Sequence, residues 1–330
     1  RVPRAAGPFD LDDYIDYIIE FVRFFRGEVH LVAVCQPTVP AFAAVALMEA
    51  VRDRCVPRSL VLMAGPIDTR ENPTEVNCFA KEHDLDWFTR NLITQVPWPH
   101  PGMLRNVYPG FLQLSGFMGM NLGRHITAHR QHFENLIRGD GDSAVRHREF
   151  YDEFLAVMDL TAEFYLQTIR TVFLDHSLPK REMRHRGWTV DPSKIRRVPL
   201  MTVEGEKDDI TGVGQTYAAH KLCSNLPSSM RQHYVQEGAG HYGVFNGARF
   251  RDEILPARGQ PGGNADADTD SGRIANTISN TTTPIVKIKA GSSKPVRNNV
   301  RRSNSCASPC AARSNIAGRL PVASPERIKC

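Results

Sequence analysis

Apolar positions in the first 68 residues follow two alternating patterns. Leu11, Tyr14, Ile15, Ile18, Ile19, Val22 and Phe25 recur every three or four residues, which lays them on one side of a helix over 10–26. Asp10 stands where a first-turn cap belongs, and Gly27 ends the run. Residues 29–34 form a short, wholly apolar run bar His30, the pattern of a buried strand, and 38–51, rich in Ala, Val, Leu and Met, predict the helix after it. Residues 59–64 repeat the strand pattern and close at Gly65-Pro66. Helix, strand, helix, strand implies a parallel sheet covered by helices, an α/β fold class.

From 69 to 198 the pattern becomes long amphipathic runs, predicting helices over 77–94, 123–137 and 147–174, with Pro-rich breaks at 96–101 and at Pro179. This block reads as a helical cap inserted into the sheet domain. Strand patterns return at 200–203 and 232–235, with a helix predicted over 214–223 between them. The expected division is therefore 1–68 as the first part of the core, 69–198 as the cap, 199–256 as the second part of the core, and 257–330 as a tail.

Composition sharpens that last boundary. Every Phe, Tyr, Trp and His lies before Pro256, and 257–330 carries 12 Lys and Arg against 4 Asp and Glu. That tail predicts disorder, its one strand-like stretch being 281–289. The chain's net charge of +5 belongs to the tail, because the rest is slightly acidic, and without a basic stripe among aromatics a nucleic-acid partner is not expected. Seven cysteines, an odd number with no C-x-x-C pair, argue against a disulfide framework or zinc ribbon and for a reducing, cytoplasmic setting. No run of about 18 apolar residues is present for a membrane span, and the first ten residues, mixing charge with Pro and Gly, do not read as a signal peptide.

Candidate chemistry sits at the strand ends. Cys35 falls at the turn between the first strand and the next helix, where a side chain projects above the sheet and the following N–H, that of Gln36, can bind an oxyanion. Pro37 replaces the usual small residue two positions on, yet it fits the first helical turn, where its missing N–H has no partner in any case. Alone, such a cysteine reads as an inert thiol. A carboxylate after the third strand, Asp208 with Asp209 as its rival, and His241 in the Gly-Ala-Gly-His loop after the fourth complete the chain order nucleophile, acid, histidine.

Three segments carry a family resemblance: Val34-Cys35-Gln36-Pro37 with Val39-Pro40, Glu204-Gly205-Glu206-Lys207-Asp208-Asp209-Ile210, and Gly238-Ala239-Gly240-His241-Tyr242-Gly243-Val244-Phe245. Together they resemble the intracellular poly(3-hydroxybutyrate) depolymerase family of α/β-hydrolases, over about residues 9–256. The resemblance implies a partial α/β-hydrolase fold with a helical cap, ester hydrolysis through a thioester on Cys35, and Asp208 and His241 as its partners. It also implies no cofactor, no metal, and a cytoplasmic protein partnered with storage-granule polyester. The acyl acceptor is water or a thiol such as coenzyme A. Chain start and tail depart from the family, so an N-terminally truncated chain with a frame-shifted tail is expected, leaving four strands with an open edge. The alternatives are another cysteine-elbow acyl transferase or lactone hydrolase, polyester-synthase-like but without glycines flanking the cysteine, or an inactive granule-associated fragment.

Weaker signals remain. His125, His129 and His132 share a helical side at zinc-ligand spacing but lack an accompanying Glu, and read as a polar cap face. The apolar run 111–120 and Trp87, Trp98 and Trp188 read as packing, with a polymer groove as the other reading of 111–120. Cys306 and Cys310 read as incidental.

Overall fold

The computed structural model describes residues 2–120, 122–254 and 285–289, the last as backbone. Helix α1 (Leu11–Phe24) begins in a reciprocal cap: the Asp10 carboxylate accepts the Asp13 N–H, and the Asp13 carboxylate accepts the Asp10 N–H. Its apolar side, Leu11, Ile15, Ile18, Ile19 and Val22, is buried on α2 (Thr38–Ala50). Helix α2 follows strand β1 (His30–Val34) and is buried from Thr38 to Glu49, which is why its sequence is apolar all round instead of striped. Strand β2 (Ser59–Met63) runs parallel to β1 with His30 opposite Ser59 and Val34 opposite Met63.

After β2 come α3 (Glu75–Lys81), α4 (Leu85–Leu92), β3 (Thr94–Gln95), β4 (Asn106–Tyr108), α5 (Gly110–Met120), α6 (Leu122–Arg138), α7 (Gly141–Phe154), β5 (Leu160–Thr161) and α8 (Ala162–Thr168), the stretch expected to form a cap. A π-helical turn (Ile169–Leu174) and a hairpin of β6 (Arg184–His185) and β7 (Trp188–Thr189) lead to β8 (Leu200–Gly205), α9 (Ala218–Leu222) and β9 (Arg231–Gln236).

The main sheet has the order β10-β1-β2-β8-β9, all parallel, where β10 is Ile285–Lys289. Its two faces follow from the side-chain period of two. Leu31, Ala33, Leu60, Leu62 and Leu200 pack with α1 and α2, whereas Val32, Val61, Met63, Met201 and Val203 pack with Ala239, Val244 and Ile254 on the other side. Strands β1, β2 and β8 are thus covered on both faces, and their sequences read as nearly continuous apolar runs.

Several expectations need correction. Residues 77–94 are two helices, because the Asp84 carboxylate takes the Trp87 N–H and starts α4 afresh. Residues 147–174 are also divided. The chain leaves α7 so that Leu160–Thr161 can pair with β4 while the Asp159 carboxylate accepts the Gly110 N–H. The helix expected over 214–223 forms only at 218–222, since the buried Glu204 carboxylate takes the N–H groups of Gly214, Thr216 and Tyr217 and holds the first half as a turn. In α5 only Gly110 is buried, and Trp98 and Trp188 are exposed, so these apolar residues are not core.

The β1 edge, expected to be open, pairs with β10 from His30 opposite Ile285 to Val34 opposite Lys289. An edge strand presents unpaired N–H and C=O groups, and a fifth strand satisfies them. That part of 257–330 is therefore a strand and not disordered; 257–284 and 290–330, with the Pro256 boundary and Cys306 and Cys310, lie outside the described residues.

Truncating Ile15 to Ala should cost about 2–5 kcal/mol, while Phe24→Ala on the exposed side of the same helix should stay within about 0.5 kcal/mol, both read from urea unfolding midpoints. Equal costs would show that α1 is not held by this packing.

Candidate active site

The β1-to-α2 connection is a three-residue turn, too short to pass from strand to helix without an unusual backbone angle. Cys35 supplies it, with φ +63°, a left-handed conformation rare for a residue with a side chain. The Cys35 N–H donates to the Met63 carbonyl at 2.8 Å, and its own carbonyl accepts from the Thr38 N–H at 3.0 Å and the Thr38 hydroxyl at 2.8 Å. Pro37 is already helical at φ −57°, so it starts α2 rather than interrupting it. The thiol is half-buried. Gln36 follows at the head of α2, where first-turn N–H groups lack helical partners, and its side-chain amide donates to the Thr168 hydroxyl of α8 at 3.3 Å.

Asp208 lies past the end of β8, buried, with its Oδ1 accepting the N–H groups of Ile210 at 2.9 Å and Thr211 at 2.8 Å. Those bonds fix the carboxylate toward His241, whose Nδ1 meets Oδ2 at 2.8 Å. Asp209, the rival acid, is exposed. His241 is 4 % exposed and follows Gly240 in the loop after β9. This loop lies so close to the β8 end that a Cβ on Gly205 would come within 2.7 Å of the Ala239 carbonyl, so only glycine fits there.

Cys35 acts on the same ring, as the largest influence that favours its charged form. Burial alone would disfavour its charged form. The negative charge of Cys35 outweighs that, together with the hydrogen bonds to Asp208 and Cys35 and the Asp208 charge, and pushes the imidazole from 6.5 to about 10. Tyr242 is pushed up to about 12, chiefly by burial and then by the charge of Cys35. Sequence reading brought Cys35, Gln36, Asp208 and His241 forward, and the fold gathers them at the ends of β1, β8 and β9. It missed Thr38, which holds the turn, and Tyr242, beside His241; a hydroxyl three residues after the turn was the available signal for Thr38.

The three histidines of α6 lie on the side that meets α7, with His129 exposed beside Tyr151. His125 Nδ1 meets the Tyr151 hydroxyl at 2.8 Å, and the His132 ring stacks on His147 at 4.1 Å, so they pack against α7. Among the described residues no group of three or more His, Cys, Asp or Glu is placed to hold a metal ion. No helix among them is long and apolar enough to cross a membrane.

A protein-family model described as PHB de-polymerase C-terminus matches residues 64–259, well over half of the chain. The chain belongs to this family. The match contains Asp208 and His241 and begins after Cys35. As a member of the PHB depolymerase family the chain is an ester hydrolase of the α/β-hydrolase class, and its parallel sheet covered by helices agrees with that class. It is similar to the solved monoacylglycerol lipase of Paleococcus ferrophilus, at 12 % identity over 76 % of this chain and 74 % of that one, with TM-score 0.41. It is also similar to the meta-cleavage product hydrolase of Pseudomonas fluorescens, at 14 % over 72 % and 66 %, with TM-score 0.31. No curated protein matches it.

Because folding raises the proton affinity of His241, its contribution to stability is fully present below about pH 6.5 and is lost as pH rises through about 10. The urea midpoint should fall across that window, and fall less in Cys35→Ser, which lacks the negative partner. Equal slopes for the two proteins would rule out the Cys35 charge as a cause.

Proposed function

We propose that the chain hydrolyses the ester bonds of poly(3-hydroxybutyrate) through a Cys35, His241 and Asp208 triad. The observation that carries this reading is the Asp208 carboxylate, held 2.8 Å from Nδ1 of the buried His241, with Cys35 acting on the same ring. Family membership supports the polyester as substrate.

Asp208 holds the Nδ1 proton of His241, and Nε2 holds the proton that the Cys35 thiol has given up, the pair of charges that raises the imidazole. The thiolate sulfur attacks the ester carbonyl carbon, and the carbonyl π pair moves to oxygen, where the Gln36 N–H stabilises it. Collapse of that intermediate breaks the ester C–O bond. The departing alkoxide takes the proton from His241, and the 3-hydroxyacyl group stays on Cys35 as a thioester. Water then gives its proton to His241 and attacks the thioester, and the second collapse releases the acid and returns the thiolate. Nothing in the family match supports coenzyme A as the acceptor, and water needs no further site. A free thiol ionises near pH 8.5, far below a hydroxyl, so a neighbouring imidazole suffices to activate it. The working location follows from the substrate, the surface of a polyester granule.

The test is clearance of a turbid suspension of amorphous poly(3-hydroxybutyrate). Cys35→Ala should abolish clearance and Asp208→Asn should slow it on the order of 10³- to 10⁴-fold, while Asp209→Asn clears at close to the wild-type rate. Clearance by Cys35→Ala at the wild-type rate would remove Cys35 from the reaction.

A further inference from the structure

Helix α5 has no acidic or basic residue in its first or last turn and no charged residue between them, yet it buries only Gly110. Phe111 is 67 % exposed, with Phe117 and Met120 also open to solvent. A Cβ built on Gly116 or Gly119 would meet no atom within 4 Å, so both backbone sites face open space. Helix α6 continues the surface. Its exposed Ile126, Phe133 and Ile137 are spaced by seven and four residues, which puts them on one side of the helix, and none of its residues is buried. Exposed apolar area on this scale marks an interaction surface in a water-soluble enzyme.

Two contacts join this surface to the catalytic loop. Arg124 of α6 lies 3.8 Å from where a Gly240 Cβ would be, one residue before His241. Phe154 of α7, which packs on α6, sets its ring 6.1 Å from that of Tyr242. The uncharged side of α5, extended by Ile126, Phe133 and Ile137 of α6 with the Arg130–Glu134 ion pair among them, matches an uncharged, methyl-branched aliphatic polyester. Residues 257–330 match it poorly, having no aromatic residue and 12 Lys and Arg against 4 Asp and Glu.

We propose that the exposed apolar side of α5 and α6 is the surface by which the enzyme lies on solid polyester, presenting chains to the site at the strand ends. This rests on the polyester reading above. The test scores co-sedimentation of the full chain with amorphous poly(3-hydroxybutyrate) particles in a Cys35→Ala background, so that binding is read whether or not Cys35 is the nucleophile. Gly116→Glu with Gly119→Glu places charges in open space and favours the helix, and Phe117→Gln with Met120→Gln removes apolar area without touching the core. Each pair should lower the sedimenting fraction at least tenfold. In the Cys35 background, turnover of p-nitrophenyl butyrate should stay within twofold of wild type. Undiminished sedimentation of both pairs would overturn the proposal. So would a wild type that sediments as a dimer while both pairs are monomers, since a second copy would then cover this face.

Discussion

Cys35 sits at φ +63°, and that angle is the constraint from which the arrangement of the site follows. Holding a side-chain-bearing residue there costs about 1–3 kcal/mol and persists only where the surroundings over-determine it. Here they do: the N–H is tied to the Met63 carbonyl of the neighbouring strand, and the carbonyl is held twice by Thr38. Thr38 is itself pinned from the other side by Gly65, where a Cβ would overlap its side chain. The turn therefore rests on β2 as much as on its own residues, and β2 rests on β1 and β8. Relaxing the cysteine to an ordinary angle would rotate its thiol away from the imidazole.

The same economy governs the acid and the histidine. The Asp208 carboxylate is fixed by two backbone N–H groups of its own loop before it meets His241, and Glu204, buried one turn earlier, organises the 214–217 segment with three more. Buried carboxylates are tolerable because each is saturated with donors. Burial by itself would keep His241 neutral, and the charges of Cys35 and Asp208 reverse that preference. The imidazole is thus poised between two negative groups, the arrangement that lets one ring accept and return a proton.

The sheet and the site residues were legible because each left a local mark. Continuous apolar runs at 30–34, 59–63 and 200–203 encode doubly covered strands, and Gly240 before His241 encodes a loop that must reach over the sheet. What was illegible depended on partners distant in sequence. The break after α7 exists because β5 pairs with β4 about fifty residues earlier, and the short α9 exists because Glu204 claims the preceding N–H groups. Asp208 and Asp209 are adjacent and carry no local mark that separates them, and it is Asp208 that the fold sets 2.8 Å from His241. The apolar content of α5 resembled core in sequence, and only the thin packing of the cap exposes it. Strand β10 was foreshadowed by alternating apolar residues in a polar tail, but its place on the β1 edge was not.

The sheet places Cys35, Asp208 and His241 at its strand ends, while the 75–168 segment, tied to it through Gln36 and Thr168 and through Phe154 and Tyr242, carries the exposed apolar side of α5 and α6. Central to all of this is the covalent catalysis proposed for Cys35, and the most direct measurement is the mass of the enzyme quenched in acid during turnover of a 3-hydroxybutyrate oligomer. A single 3-hydroxybutyryl adduct on the peptide carrying Cys35, absent from Cys35→Ala and discharged by hydroxylamine, is the expected result. Turnover without that adduct in Cys35→Ala, or an adduct on another residue, would contradict it.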